Sequence, residues 1–165
     1  MRYNVPPETA GYFASLGIAG DLCGPYYEAG VSVEETVAYL NSGFTADRIM
    51  PYVRAGVPGN DVMAYLDAGA PYDRAKPYID ANKPAAAAAP YAASTFPADR
   101  CMPFVDAGIG ITKARPFLLF DIPSDQAVVY IANGVTASVA RPYVDAGVPA
   151  EQAVEDIKNN IPPGK

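Results

Sequence analysis

Apolar and polar residues recur along this chain with a period of thirteen. Aligned in units of thirteen from Phe13, the sequence stays in phase to its end with no insertion or deletion. Position 1 of the unit is aromatic in eleven of twelve units. These aromatic residues are Phe13, Tyr26, Tyr39, Tyr52, Tyr65, Tyr78, Tyr91, Phe104, Phe117, Tyr130 and Tyr143. A fixed short period over a whole chain indicates a repeat architecture, in which each unit packs on its neighbours.

Positions 5 and 6 of the unit predict where each helix ends. Position 5 is mostly glycine, which tolerates the left-handed backbone of a helix stop, and Gly56, Gly69 and Gly147 are examples. Position 6 is apolar in all units except that of Lys83, so it is expected to fix the loop to the core. Position 7 is chiefly Pro, Ser or Thr, and proline there is expected at the first position of the next helix.

Each unit therefore predicts one helix of about ten residues followed by a loop of about three. The expected helix starts lie near residues 7, 20, 33, 46, 59, 72, 85, 98, 111, 124, 137 and 150. Positions 11, 1, 2 and 8 share one side of such a helix and form the predicted buried stripe. Tyr52, Tyr65 and Tyr143 belong to it, and Ser32 with Glu35 predicts a capping box.

Short loops make successive helices antiparallel, so the predicted fold is all-α, an α-solenoid of about twelve short helices. We expect residues 1–165 to form a single helical-repeat domain. Its last unit, about residues 150–165, replaces the aromatic residue by Asp156 and predicts a polar C-terminal cap.

Seven prolines at position 13 complicate this picture because they fall in the middle of the predicted helices. A proline inside a helix removes a hydrogen bond and costs up to about 3 kcal/mol. Either the helices bend on their solvent side, or each proline opens a separate short helix. Bent helices are favoured, because residues such as Met50 and Arg115, which precede the prolines, are poor N-caps.

Charge and hydropathy exclude several classes of partner. The formal net charge is −6 and there is no basic run, which argues against nucleic acid and anionic lipid. We find no signal-peptide core and no apolar run that could span a bilayer, so no membrane insertion is expected. A soluble, unexported protein is the simplest interpretation, located in the cytoplasm or inside a virion or another assembly.

The sequence offers little chemistry for catalysis. Histidine is absent, which removes the commonest general base and metal ligand. Cys23 and Cys101 both fall at position 11, where they are expected to be small buried residues too far apart for a disulfide. We therefore expect no enzyme activity, no cofactor, no metal and no small-molecule substrate. For the tyrosine column two interpretations stay open: hydroxyls that reach the wet edge of a thin core, or hydroxyls that line a binding groove.

The unit Ala146–Ala153, Ala-Gly-Val-Pro-Ala-Glu-Gln-Ala, resembles the short helical tandem repeats of many bacterial and phage proteins. The resemblance covers essentially the whole chain. It implies the helical-repeat architecture, while the roles of such proteins are poorly defined, and it transfers no catalytic residue.

Two departures from the repeat suggest a contact surface. The helix expected at residue 85 carries no charge, although Ala86, Ala87 and Ala93 occupy positions that should face water. Two helices later, Leu119 replaces a polar residue and Phe120 replaces the usual alanine. Helices two apart lie on the same side, so these five residues are candidates for one apolar interaction patch. A local repacking of the core, or a drift in composition with no partner, explains the same residues.

These observations favour a non-enzymatic structural scaffold, a subunit of a larger assembly such as a filament, shell or virion, which binds itself or other protein subunits. The alternative is a monomeric adaptor that binds a peptide or protein along its concave surface.

Overall fold

The computed structural model describes residues 3–164, and this part of the chain forms twelve α-helices of nine residues and no strand. The helices are α1 (Pro7–Ser15), α2 (Gly20–Glu28), α3 (Val33–Asn41), α4 (Ala46–Arg54), α5 (Gly59–Asp67), α6 (Tyr72–Asp80), α7 (Ala85–Ala93), α8 (Ala98–Asp106), α9 (Ile111–Leu119), α10 (Ser124–Ala132), α11 (Ala137–Asp145) and α12 (Ala150–Lys158). All twelve begin at the residues near which the period predicts a helix start. The predicted all-α helical-repeat fold is thereby confirmed, with connections of four residues instead of three.

The helices end as the glycine column predicts. Gly56, Gly69 and Gly147 have φ values of +71°, +77° and +70°. The amide that follows such a residue then donates to the carbonyl at position 1, as Val57 does to Tyr52 at 3.1 Å. This Schellman pattern satisfies carbonyls that the helix end leaves without partners.

The structure corrects the prediction that the proline at position 7 of the unit is the first residue of a helix. Pro149 has φ −56° and ψ 144°, and its carbonyl accepts a hydrogen bond from the Ala153 amide at 2.9 Å. It is therefore the N-cap of α12, one residue before the predicted first helical position. The N-cap residue has an extended ψ, and its backbone N–H makes no hydrogen bond within the helix. Proline, which has no N–H, therefore fits at this position.

The capping box is half formed. The Ser32 hydroxyl accepts a hydrogen bond from the Glu35 amide at 3.1 Å, as predicted. The Glu35 carboxylate accepts instead from the Tyr39 hydroxyl at 3.4 Å.

The position-13 prolines lie inside single helices, which excludes the alternative of two short helices per unit. They are Pro25, Pro51, Pro77, Pro90, Pro103, Pro116 and Pro142. Proline at the sixth residue of a helix leaves one carbonyl free, four residues earlier. For Pro51 that residue is Asp47, which is exposed, so water can satisfy the carbonyl.

The predicted stripe forms the core. All eleven aromatic residues at position 1 are buried, and so are the position-11 residues from Cys23 to Ala153. Neighbouring rings stack in places: the centroids of Tyr52 and Tyr65 lie 5.7 Å apart with 19° between their planes. The buried side chains form one cluster that continues from Tyr26 to Val154.

The even-numbered helices form one layer and the odd-numbered helices form a second. More pairs of neighbouring helices pack closely in the even-numbered layer. Each even-numbered helix from α2 to α10 packs closely on the next even-numbered helix. Among the odd-numbered helices between residues 3 and 164, only α5 and α7 pack closely on each other. The odd layer is therefore more open, and α9 packs closely only on α8 and α10.

Candidate functional site

An exposed apolar surface lies on α9. Leu119 is 66% exposed and Phe120 is 44% exposed. An open groove of about 330 Å³ runs beside them, and we call it the α9 groove. It is lined by Ile111, Thr112, Arg115, Pro116, Leu119 and Phe120. Soluble proteins seldom expose clustered large apolar side chains unless the surface binds something.

Helical spacing explains how these six residues make a groove. Ile111, Arg115 and Leu119 follow one another at intervals of four and form one ridge. Thr112, Pro116 and Phe120 form the neighbouring ridge in the same way. Among the described residues, these six line the groove, and α9 packs closely only on α8 and α10. Ridges with a groove between them are the features through which α-helices pack on one another.

Two arginines from other helices hold the end of α9 in place. The Arg100 guanidinium donates to the Leu118 carbonyl at 3.3 Å and pairs with Asp121 at 2.7 Å. The Arg141 guanidinium donates to the Phe120 carbonyl. Hydrogen bonds from charged donors are the stronger kind, so Leu119 and Phe120 are presented on a well-anchored backbone.

The charge of α9 is opposite to that of the protein. The helix contains Lys113 and Arg115 and no acidic residue, although the chain carries a formal net charge of −6. Both side chains are exposed, and neither is in an ion pair with another described residue. The α9 groove is therefore an apolar site with a positive rim.

The alanine-rich helix α7 has a structural explanation. Ala85, Ala88, Ala89 and Ala92 are buried, and α7 packs closely against α5 and α6. Small side chains allow this close approach of helices. The candidates Ala86 and Ala87 are exposed and Ala93 is half-buried, but none of the three lines the α9 groove. Of the five candidate residues, the structure brings only Leu119 and Phe120 together.

At two central positions of the tyrosine column the hydroxyls lie inside the molecule. The sequence had suggested a wet edge or a binding groove for them. The Tyr52 hydroxyl is buried and donates to the Ala70 carbonyl at 2.9 Å. The Tyr65 hydroxyl is buried with no hydrogen-bond partner among the described residues. Neither hydroxyl reaches a wet edge, although Tyr65 itself lines a cavity of about 250 Å³ together with Val57 and Lys83.

A second exposed apolar surface, on α1 and α2, was not predicted from the sequence. Tyr12, Leu16 and Leu22 are 51%, 48% and 54% exposed. Two of them have a signal in the repeat. Position 13 is otherwise Pro, Ala, Val or Glu, so Tyr12 is its one aromatic residue, and position 4 is mostly Ala or Ser where Leu16 stands.

The reactive groups that the sequence offers are shielded. Cys23 and Cys101 are fully buried, and burial raises the pKa of both thiols above the ordinary value of 9.0. The reactive form of cysteine is the thiolate, so these thiols are poor nucleophiles near neutral pH. No cluster of three or more metal-binding side chains occurs in residues 3–164.

Comparison with known proteins adds no assignment. The chain matches no family model, no curated protein and no solved structure. Within the described part of the chain, no helix has the length and apolar character needed to cross a membrane.

Proposed function

We propose that this chain is a non-enzymatic helical-repeat scaffold that serves as a subunit of a larger assembly, such as a filament, shell or virion. The observation that carries the proposal is the α9 groove, where Leu119 and Phe120 are exposed on an anchored helix end. An exposed apolar surface with a charged rim is typical of protein–protein contacts. Its partners are accordingly other protein subunits, either copies of itself or different chains.

The second exposed surface supports assembly over a single binding event. Tyr12, Leu16 and Leu22 lie on α1, directly after it and on α2, seven or more helices before α9. A subunit that joins two neighbours needs two such surfaces, whereas a simple adaptor needs one.

The alternative function is a monomeric adaptor that binds one peptide. The volume of the α9 groove, about 330 Å³, favours it, because this space accommodates a few side chains of one helix or extended segment. In this case the exposed residues of α1 and α2 would have no role in association.

Light scattering on the purified protein over a wide concentration range distinguishes the two functions. Assembly predicts a mass that rises with concentration, and Leu119→Glu should lower it. The matched control is Val139→Glu, which also places a carboxylate at an exposed apolar position but lies outside the α9 groove. A protein that stays monomeric at the highest concentration contradicts the assembly function.

A further inference from the structure

We propose that the α9 groove of one molecule binds helix α1 of a second copy of this chain. This inference rests on the proposed function and names the partner of the same site. Its starting point is that the exposed apolar residues of α1 and the α9 groove carry opposite charges.

The outer side of α1 carries a single ridge. Glu8, Tyr12 and Leu16 follow at intervals of four and are all exposed, whereas Phe13 faces the inside of the molecule and is buried. Such a ridge of one helix fits between two ridges of another, which is the usual mode of helix packing. The α9 groove, between the ridges of Ile111 and Thr112, offers that space.

The charges of the two surfaces are opposite. No lysine or arginine occurs between Arg2 and Arg48, and helices α1 and α2 carry Glu8, Asp21 and Glu28. Helix α9 carries only Lys113 and Arg115. Complementary charge steers association and sets the register of a contact, while like charges opposed across it would disfavour other pairings.

The spacing along both helices allows one register that satisfies charge and apolar contacts together. Glu8 precedes Tyr12 by four residues, and Arg115 precedes Leu119 by four. When the two helices run in the same direction, Glu8 opposite Arg115 places Tyr12 opposite Leu119. The charged pair then sits beside a pair of large apolar side chains, and Leu16 lies opposite Pro123, just past the end of α9.

The contact is heterologous, because α1 and α9 are different surfaces of the molecule. Each added copy leaves one α1 and one α9 groove free, so the contact builds rings or open chains instead of stopping at a dimer. A helix-on-helix contact is small beside a standard interface of about 1,600 Å². Association is therefore expected to depend strongly on concentration and to weaken as salt increases.

Charge reversal at the two opposed residues tests the pairing. Arg115→Glu and Glu8→Lys should each weaken self-association roughly tenfold or more, since each opposes two like charges. The decisive measurement is sedimentation of the two variants after mixing in equal amounts. In the mixture, α1 of the Glu8→Lys variant contacts α9 of the Arg115→Glu variant through two opposite charges. In the other combination, Glu8 of the Arg115→Glu variant contacts Arg115 of the Glu8→Lys variant, as in wild type. The mixture should therefore assemble as wild type does.

Lys76→Glu is the matched control, because Lys76 is exposed and occupies position 12 of its unit, as Arg115 does. It should leave association unchanged. If wild type assembles but Arg115→Glu behaves like this control, or the mixture stays unassembled, the α1 contact is wrong while the assembly function stands. A wild type that remains monomeric at all concentrations overturns both.

Discussion

The Tyr52 hydroxyl donates a hydrogen bond of 2.9 Å to the carbonyl of Ala70, eighteen residues further along the chain. Tyr91 and Tyr143 make the same link to Ile109 and Ile161, at 2.5 and 2.6 Å. In each case the phenol at position 1 of one unit binds the loop of the next unit. Tyrosine therefore does what leucine cannot, because it joins two successive units by a hydrogen bond as well as by burial.

Replacing Tyr52 by phenylalanine should destabilise the protein by about 1 kcal/mol, because the Ala70 carbonyl loses its buried donor. Its stacked neighbour Tyr65 provides the matched control, since the Tyr65 hydroxyl has no partner among the described residues. Tyr65→Phe should be neutral or stabilising by up to about 1 kcal/mol. Urea unfolding followed by circular dichroism measures both. Equal losses in the two variants would contradict the role given to the Tyr52 hydrogen bond.

The tyrosine core should make the protein unfold in alkali. Burial raises the pKa of Tyr65 to about 12, and burial together with the Glu35 carboxylate raises that of Tyr39 to about 12, from an ordinary value of 10.0. The folded state thus holds these protons more tightly than the unfolded state. The resulting stability is complete below pH 10.0 and is lost as the pH rises toward 12.

A titration that follows tyrosinate absorbance and helical circular dichroism together checks this expectation. Ionisation of the buried tyrosines and loss of helix should coincide in the alkaline range. Full ionisation of all tyrosines at their ordinary pKa, with the helical signal intact, would show that the rings are accessible in the folded protein.

Gly56→Val should destabilise by about 1 to 2 kcal/mol, because a β-branched residue is then forced to the φ of +71° that Gly56 adopts. A Cβ at this site meets no atom within 4 Å, so the cost is one of backbone conformation and not of packing. Gly56→Asn is the control, since Asn82 and Asn160 occupy the same position of their units at φ +57° and +56°. Thermal melting should show a clear loss for valine and a smaller one for asparagine.

Arg74→Ala should destabilise helix α7 by about 1 kcal/mol. Thr95 follows this helix at position 5 of the unit, where most units have glycine. It does not take a positive φ, so the usual Schellman end is missing. The Tyr91 carbonyl accepts from the Ser94 hydroxyl at 2.6 Å instead, and the Arg74 guanidinium donates to the next free carbonyls, those of Ser94 and Ala93, at 2.6 and 3.4 Å. Chemical denaturation is the measurement.

Lys76→Ala is the comparison for Arg74→Ala, because Lys76 lies two residues away on the same helix and makes only an exposed pair with Asp80. Such a pair contributes little, so this variant should change stability by less than about 0.5 kcal/mol. Equal effects of the two substitutions would show that Arg74 does not act as a cap.

The sequence by itself determined the number of helices and where each begins. The reason is local: an aromatic residue at position 1 and a glycine at position 5 act within one unit and its neighbours, and in a repeat almost every stabilising contact is of this kind. The same period placed Tyr52 in the core and Gly56 at a helix end. It also placed the prolines of position 13 inside helices. It missed the proline N-caps by one residue because start signals differ little between adjacent positions.

Only the tertiary structure decided which apolar side chains are exposed and which of them lie together. The sequence marked Leu119 and Phe120 as unusual but grouped them with the alanines of α7, which proved to serve a close approach to α5 and α6. The α9 groove lies on a helix that packs closely only on α8 and α10, and the period, being the same for every unit, does not tell which helices lie close together. Exposure of Tyr12 and Leu16 likewise depends on which sides of α1 have a neighbour. A repeat fixes the contacts between units, while the free sides are settled only when all helices are placed together.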